Sequence, residues 1–168
     1  DVLVAEAASE PGKSWSPRAL VQNMVQRRAG SIVENANRIS LLRDADGDGV
    51  AEQLFPFLEG LRQPFGMALV GDQLYVANTD SVVRFSYREG DTRITDKGTK
   101  LLDLPVGHHW TRALLASKDG TKLFVTVGSG SNIGEKGLEI EEGRAAILEF
   151  DIASGKSRIF ASGLRNAN

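Results

Sequence analysis

The sequence predicts an all-β chain built from successive four-stranded antiparallel blades of a β-propeller. Three observations carry that expectation. Eighteen glycines stand beside only 7% aromatic residues, a mix suited to short strands joined by tight turns. A short β-rich run recurs three times, as Asp1–Glu6, Asp72–Asn78 and Gly120–Val127. The second and third of these runs lie in units of four apolar segments that repeat over about 50 residues, the length of a blade. An antiparallel sandwich is the competing arrangement, but its strands need not recur in groups of four with matching turns.

In chain order, Asp1–Glu6 matches the second strand of a blade, so that blade's first strand is expected ahead of residue 1. Ser16 and Pro17 then supply an N-cap and a first helical residue, and Leu20, Val21, Met24 and Val25 recur at helical spacing before Gly30. This predicts a short amphipathic helical insertion at about 17–29, with Arg27 and Arg28 complementing its C-terminal dipole. Strands over 37–43 and 53–58 follow, joined by an Asp–Gly turn. The first full blade is expected at 66–71, 74–78, 81–87 and 100–104, and the second at 112–117, 122–127, 145–151 and 157–161. The junctions echo one another: Gly60-Leu-Arg-Gln-Pro-Phe-Gly66 precedes one blade, and Gly163-Leu-Arg-Asn-Ala-Asn168 stands where the next should open. Residues 1–168 therefore read as a partial propeller domain of two complete blades and most of a third, a fragment or one piece of a cleaved chain, since propellers close with about 4–8 blades.

Composition narrows the function classes. A net charge of −2 lacks the basic footprint of a nucleic-acid binder. No apolar run approaches the ~18 residues of a membrane span, and no basic-then-apolar leader opens the chain. The absence of cysteine excludes disulfides, thiolate zinc sites and thiol catalysis.

Four segments can carry chemistry. Asp44-Ala-Asp-Gly-Asp-Gly-Val-Ala-Glu52 sets Asp44, Asp46 and Asp48 at the first, third and fifth positions of a loop, Gly49 at the sixth and Glu52 at the ninth, the spacing of a calcium loop. The twelfth position is Phe55 rather than a bidentate Glu, so the EF-hand pattern fails, and a plain Asp–Gly turn competes with the calcium reading. The only histidines are adjacent, in Gly107-His-His-Trp-Thr-Arg112. A neutral imidazole beside an Arg at a channel mouth suits a general base, and strand alternation would let only one of the pair reach a site. Val127-Gly-Ser-Gly-Ser-Asn-Ile-Gly-Glu135 is glycine-rich but lacks a Gly-Lys-Ser/Thr ending, so it reads as a strand-to-strand connection on the channel face rather than a phosphate loop. The charged run Glu135–Arg144 reads as a solvated loop. Arg165-Asn166 pairs a cation with an amide, able to meet carboxylates or carbonyls of a ligand.

Taken together, Asn37–Gly49, Leu61–Gly66, Gly107–Arg112, Val127–Asn132 and Gly163–Asn166 resemble the sorbosone dehydrogenase branch of the soluble quinoprotein sugar dehydrogenases, over nearly the whole chain. The resemblance implies a six-bladed propeller that oxidises a sugar or aldose-type hydroxyl with pyrroloquinoline quinone and Ca²⁺ as cofactors. It implies that a histidine takes the hydroxyl proton; family spacing of four residues before an arginine selects His108 over His109, with Arg112 beside it. The expected cofactor contacts are Arg165, Asn166, His109, Ser129 and Asn132, and a Gln found in some relatives is replaced here by Asn168. The expected metal ligands are Asp44, Asp46, Asp48 and Glu52. The implied partners are a small sugar, an external electron acceptor and the remaining half of the propeller, in a periplasmic or secreted location. A non-catalytic propeller that binds a ligand or protein through the same face is the competing function.

Overall fold

The computed structural model describes residues 1–8, 37–107, 109–133 and 137–167. The helix expected at 17–29, His108 and Asn168 lie outside these residues. Three antiparallel sheets follow one another along the chain. The first holds β1 (Val2–Glu6), β2 (Arg38–Arg43) and β3 (Gln53–Leu58). The second holds β4 (Gly66–Val70), β5 (Gln73–Ala77), β6 (Ser81–Ser86) and β7 (Thr99–Asp103). The third holds β8 (Leu114–Ala116), β9 (Lys122–Val127), β10 (Ala146–Asp151) and β11 (Ser157–Ser162). Each is an up-and-down meander in which sequence neighbours pair, as the repeating units require.

The equivalence of the sheets is written in their irregularities. In β2, β6 and β10 the register with the following strand slips after the second residue, between Ile39 and Ser40, Val82 and Val83, and Ile147 and Leu148. A bulge recurring at one place marks these three strands as the same strand of three units, which makes β1 the counterpart of β5 and β9. The expected assignment of Asp1–Glu6 to a second strand is borne out.

Packing follows from alternation along β5. Leu74 and Val76 face one way into a core with Ile39, Leu41, Phe57 and Leu58 of the first sheet, joined by Phe85 and Ile94. Tyr75 and Ala77 face the other way, toward Leu123, Val125, Val127 and Phe150 of the third sheet. All four β5 residues are buried, so the middle sheet is covered on both faces and its central strand reads as a continuous apolar run. Burying each such Leu, Val or Phe contributes about 1.5–3 kcal/mol.

The second and third sheets meet most closely at their first strands. Gly66 donates its N–H to the Arg112 carbonyl at 3.0 Å, and a Cβ on Gly66 would lie 2.4 Å from the Leu114 nitrogen. Only a glycine lets β4 and β8 approach this far.

One strand is shorter than expected. Residues 112–113 do not join β8, because the Ala113 N–H donates to the Thr126 hydroxyl at 2.9 Å rather than into the ladder. The Arg112 side chain turns back onto the preceding loop. His109 therefore precedes the strand, and strand alternation does not govern where its ring points.

Candidate functional site

The loop between β7 and β8 is held by two buried guanidinium groups. Arg112 is fully buried; its Nη1 donates to the carbonyls of His109 at 2.6 Å and Thr111 at 2.8 Å, and its Nη2 to Pro105 at 2.7 Å. Arg144 is 7% exposed; its Nη1 donates to Pro105 at 2.9 Å and Val106 at 3.0 Å. Its guanidinium lies over Gly107, where a Cβ would come within 2.9 Å. Burial, and then the Arg144 charge, pull Arg112 down to about 10, and burial likewise lowers Arg144. Both cations donate to backbone carbonyls, with Arg112 Nε and Arg144 Nε and Nη2 buried and without a partner among the described residues, and these bonds fix the course of the chain at residues 105–106 and 109–111.

The loop after β9 faces this segment. Ser129 accepts at its carbonyl from His109 Nδ1 at 2.8 Å and donates its own N–H to the Arg165 carbonyl at 2.8 Å. Arg165 returns from Nε to the Asn132 carbonyl at 2.9 Å and from Nη2 to Asn132 Oδ1 at 2.8 Å. Gly128 sits between His109 and Asn166: a Cβ there would be 2.5 Å from His109 Cβ and 2.6 Å from Asn166 Oδ1. That Asn166 oxygen is buried and has no partner among the described residues. The segments around residues 109, 129–132 and 165–166 thus gather His109, Ser129, Asn132, Arg165 and Asn166 into one connected cluster. The backbone carbonyl of His109 links it to Arg112.

Two side chains of this arrangement fell in the run read as a solvated loop. Residues Glu139–Glu141 form a single 3-10 turn. Glu141 accepts from the Ser129 hydroxyl at 2.7 Å, from Gly130 N–H at 2.9 Å and from the Ser131 hydroxyl at 3.2 Å. The Ser129 hydroxyl, then the Gly130 amide, hold its carboxyl below the usual carboxylate range. Glu141 and Arg144 are therefore anchors rather than solvated charges. Their spacing carries no periodic signal, and their partners lie 10–39 residues away in sequence, so local pattern could not expose them.

The acidic loop lies at the end of the β2–β3 hairpin away from Asn37. Asp44, Asp46, Asp48 and Glu52 bring carboxylate oxygens within 4.8 Å of one another, a group that can hold a metal ion. The chain shapes itself around Asp44, which accepts from Gly47 N–H at 2.6 Å and Gly49 N–H at 2.9 Å. Those amides, Gly49 first, hold its carboxyl below the ordinary aspartate value. Glu52 closes the loop by accepting from Ala45 N–H at 2.8 Å. Gly47 and Gly49 have φ of 81° and 91°, the left-handed conformation that a tight acidic loop demands.

This fold of successive antiparallel meanders of three and four strands matches a known class. The family model described as TrAA12-like matches residues 36–167. The chain belongs to the TrAA12-like family. Its fold is that of the holo form of the pyranose dehydrogenase PQQ domain from Coprinopsis cinerea (TM-score 0.66, 21% identity, 80% of this chain and 36% of that one). It also matches the iodide structure of the Trichoderma reesei carbohydrate-active enzyme family AA12 (TM-score 0.62, 20% identity, 78% and 37%). The calcium structure of the same Trichoderma reesei enzyme matches with a TM-score of 0.56 and 20% identity over 76% of this chain and 32% of that one. The chain thus spans about a third of the length of these structures. None of the three bears the name of a sorbosone dehydrogenase, so the sorbosone branch is not supported by these matches. No curated protein matches the chain. Among the described residues, no helix is long and apolar enough to cross a membrane.

Proposed function

We propose that this chain is part of a six-bladed propeller enzyme that oxidises a sugar or aldose-type hydroxyl with pyrroloquinoline quinone, assisted by Ca²⁺. The observation that supports the reading best is the cluster of His109, Ser129, Asn132, Arg165 and Asn166 in a TrAA12-like chain. An exposed guanidinium, two amides and an imidazole suit a planar, anionic, hydrogen-bonding group, and the partnerless buried oxygen of Asn166 is an acceptor for a donor on it. Pyrroloquinoline quinone, when bound, supplies the two-electron acceptor for substrate oxidation. Arg165, Asn166, His109, Ser129 and Asn132 would hold and orient it.

His108 is the proposed general base, taking the substrate hydroxyl proton on a neutral imidazole. Arg112 serves it as a positioning residue, since its guanidinium is committed to the carbonyls of Pro105, His109 and Thr111. Further blades would close the ring, and a small sugar and an external electron acceptor are the proposed partners, in a secreted or periplasmic setting. The sorbosone-type substrate suggested by the motifs and a pyranose remain the two sugar classes to compare. Asp44, Asp46, Asp48 and Glu52 are proposed as the ligands of one Ca²⁺.

The test is reconstitution of the full-length protein with pyrroloquinoline quinone and Ca²⁺, followed by dye reduction with sorbosone-type and pyranose sugars. His108→Ala is expected to cut turnover by roughly 10²–10⁴ while cofactor still binds. Cofactor-independent binding of a sugar with no dye reduction would favour a non-catalytic binding module. If His109→Ala has the large effect instead, the base is His109.

A further inference from the structure

One segment pins both loops that flank His109. Glu141 grips the turn at 129–131 from one side, and Arg144, three residues later, grips Pro105 and Val106 from the other. The two are tied by an Arg144 N–H to Glu141 carbonyl bond of 2.8 Å. His109 lies between the gripped loops: its Nδ1 meets the Ser129 carbonyl, and its own carbonyl is taken by Arg112. A carbonyl can only accept, so in the neutral ring Nδ1 carries the hydrogen and Nε2 carries the lone pair.

The direction of the Ser129 carbonyl is therefore what selects the tautomer, and that direction is set by the residue's other bonds. The Ser129 hydroxyl donates its single hydrogen to Glu141 at 2.7 Å and accepts from the Ser131 N–H at 3.2 Å. The peptide that carries the Ser129 carbonyl is itself held through its Gly130 N–H. The carboxylate thus clamps the peptide plane whose oxygen faces the imidazole, by bonds in which the acceptor is charged and hence strong.

We infer that Glu141 is a positioning residue that fixes His109 in its Nδ1–H tautomer through the Ser129 carbonyl. The inference rests on the reading of His109 as a cofactor contact for its functional meaning, though the tautomer itself does not depend on it. A carbonyl-oriented imidazole of this kind presents Nε2 as a fixed acceptor or base, as outer partners do for histidines at metal sites.

The experiment is ¹⁵N-histidine NMR of the full-length protein above the ring pKa, with His109 assigned by its loss in His109→Gln. Wild type is expected to show His109 as Nδ1–H. Glu141→Ala is expected to move it toward a tautomer mixture, and Glu141→Gln, which keeps a side-chain acceptor of the same size, to fall between. Turnover of the loaded enzyme should drop roughly 10–100-fold in Glu141→Ala with little change in KM, the scale of losing an outer-shell partner. A wild-type His109 in the Nε2–H form overturns the inference. So does an unchanged tautomer in Glu141→Ala, or in Glu141→Gln should the alanine variant fail to fold. A tautomer that shifts as expected with turnover untouched upholds the clamp and counts against His109 as a cofactor contact.

Discussion

Arg112 and Arg144 donate to the same carbonyl oxygen, that of Pro105, at 2.7 and 2.9 Å. Two like charges share an acceptor here because each is also held elsewhere, Arg112 by the carbonyls of His109 and Thr111, Arg144 by that of Val106. Even lowered to about 10, Arg112 stays protonated at neutral pH. The pair converts an irregular loop with no ladder of its own into a fixed platform.

Arg144→Met should expose the importance of that platform. The substitution keeps an apolar stem but strips donors from two carbonyls, and hydrogen bonds from a charged donor are worth about 1.5–3 kcal/mol. The urea midpoint of the full-length protein is expected to fall correspondingly. Arg144→Lys should recover only part of the loss, because an ammonium cannot reproduce the planar fork. A midpoint unchanged in Arg144→Met would mean that Arg112 holds the loop alone.

Acid should unfold the chain in a defined window. Glu149 is 8% exposed on β10, and its hydrogen bonds with Lys122 and then Arg158 lower its pKa from 4.5. Glu6, bonded by Ser40 and Arg38, and Glu141, bonded by Ser129, are lowered from the same value. A carboxylate with a depressed folded pKa stabilises fully above its unfolded pKa and loses that contribution as pH falls through the folded one. Thermal midpoints should therefore be level above about pH 5 and decline below the ordinary glutamate value. Glu149→Gln should start lower and decline less steeply, and an identical slope would assign the acid sensitivity to other groups.

The acidic hairpin loop separates two readings by metal stoichiometry. If its carboxylates bind Ca²⁺, calorimetry of the full-length protein should lose one site in Asp46→Asn combined with Asp48→Asn, while Asp44 keeps the loop closed through Gly47 and Gly49. Unchanged stoichiometry in that double variant would leave the loop a turn. Asp44→Asn should in addition loosen the turn itself, since a neutral amide accepts from the two amides less strongly.

The strands and their grouping were legible because they depend on local alternation and turn chemistry: β4–β7 and β8–β11 fall within two residues of the expected spans at every end. The Asp–Gly turn between β2 and β3 was equally plain. What local pattern missed is held by bonds between distant segments. The Thr126 hydroxyl shortens β8 by taking the Ala113 N–H, and Glu141 and Arg144 act on residues in other loops. Among the candidate site residues, the family resemblance grouped His109, Ser129, Asn132, Arg165 and Asn166 as contacts, but strand alternation pointed His109 away from the rest, and nothing local marked the acid and the guanidinium that hold their loops.

Two glycines at close approaches should respond differently to the same added methyl group. At Gly66 a Cβ would meet backbone, the Leu114 nitrogen at 2.4 Å and the Arg112 carbonyl oxygen at 2.5 Å, so Gly66→Ala must push β4 away from β8. Its effect should appear as lost stability of about 1–3 kcal/mol or more, the range of overpacked cores. At Gly128 the Cβ would meet His109 Cβ at 2.5 Å and Asn166 Oδ1 at 2.6 Å. These belong to side chains on loops, which can yield by a shift that the sheets do not feel. Gly128→Ala should therefore fold with a modest loss of stability yet separate His109 from Asn166. A displacement of about 1 Å at a reacting centre can cost 10²-fold in rate, so turnover of the reconstituted enzyme should fall far more than its unfolding midpoint suggests. Parallel urea unfolding and dye-reduction assays on both variants check this; equal losses of stability and activity in Gly128→Ala would mean that the close packing at Gly128 serves the fold and not the site.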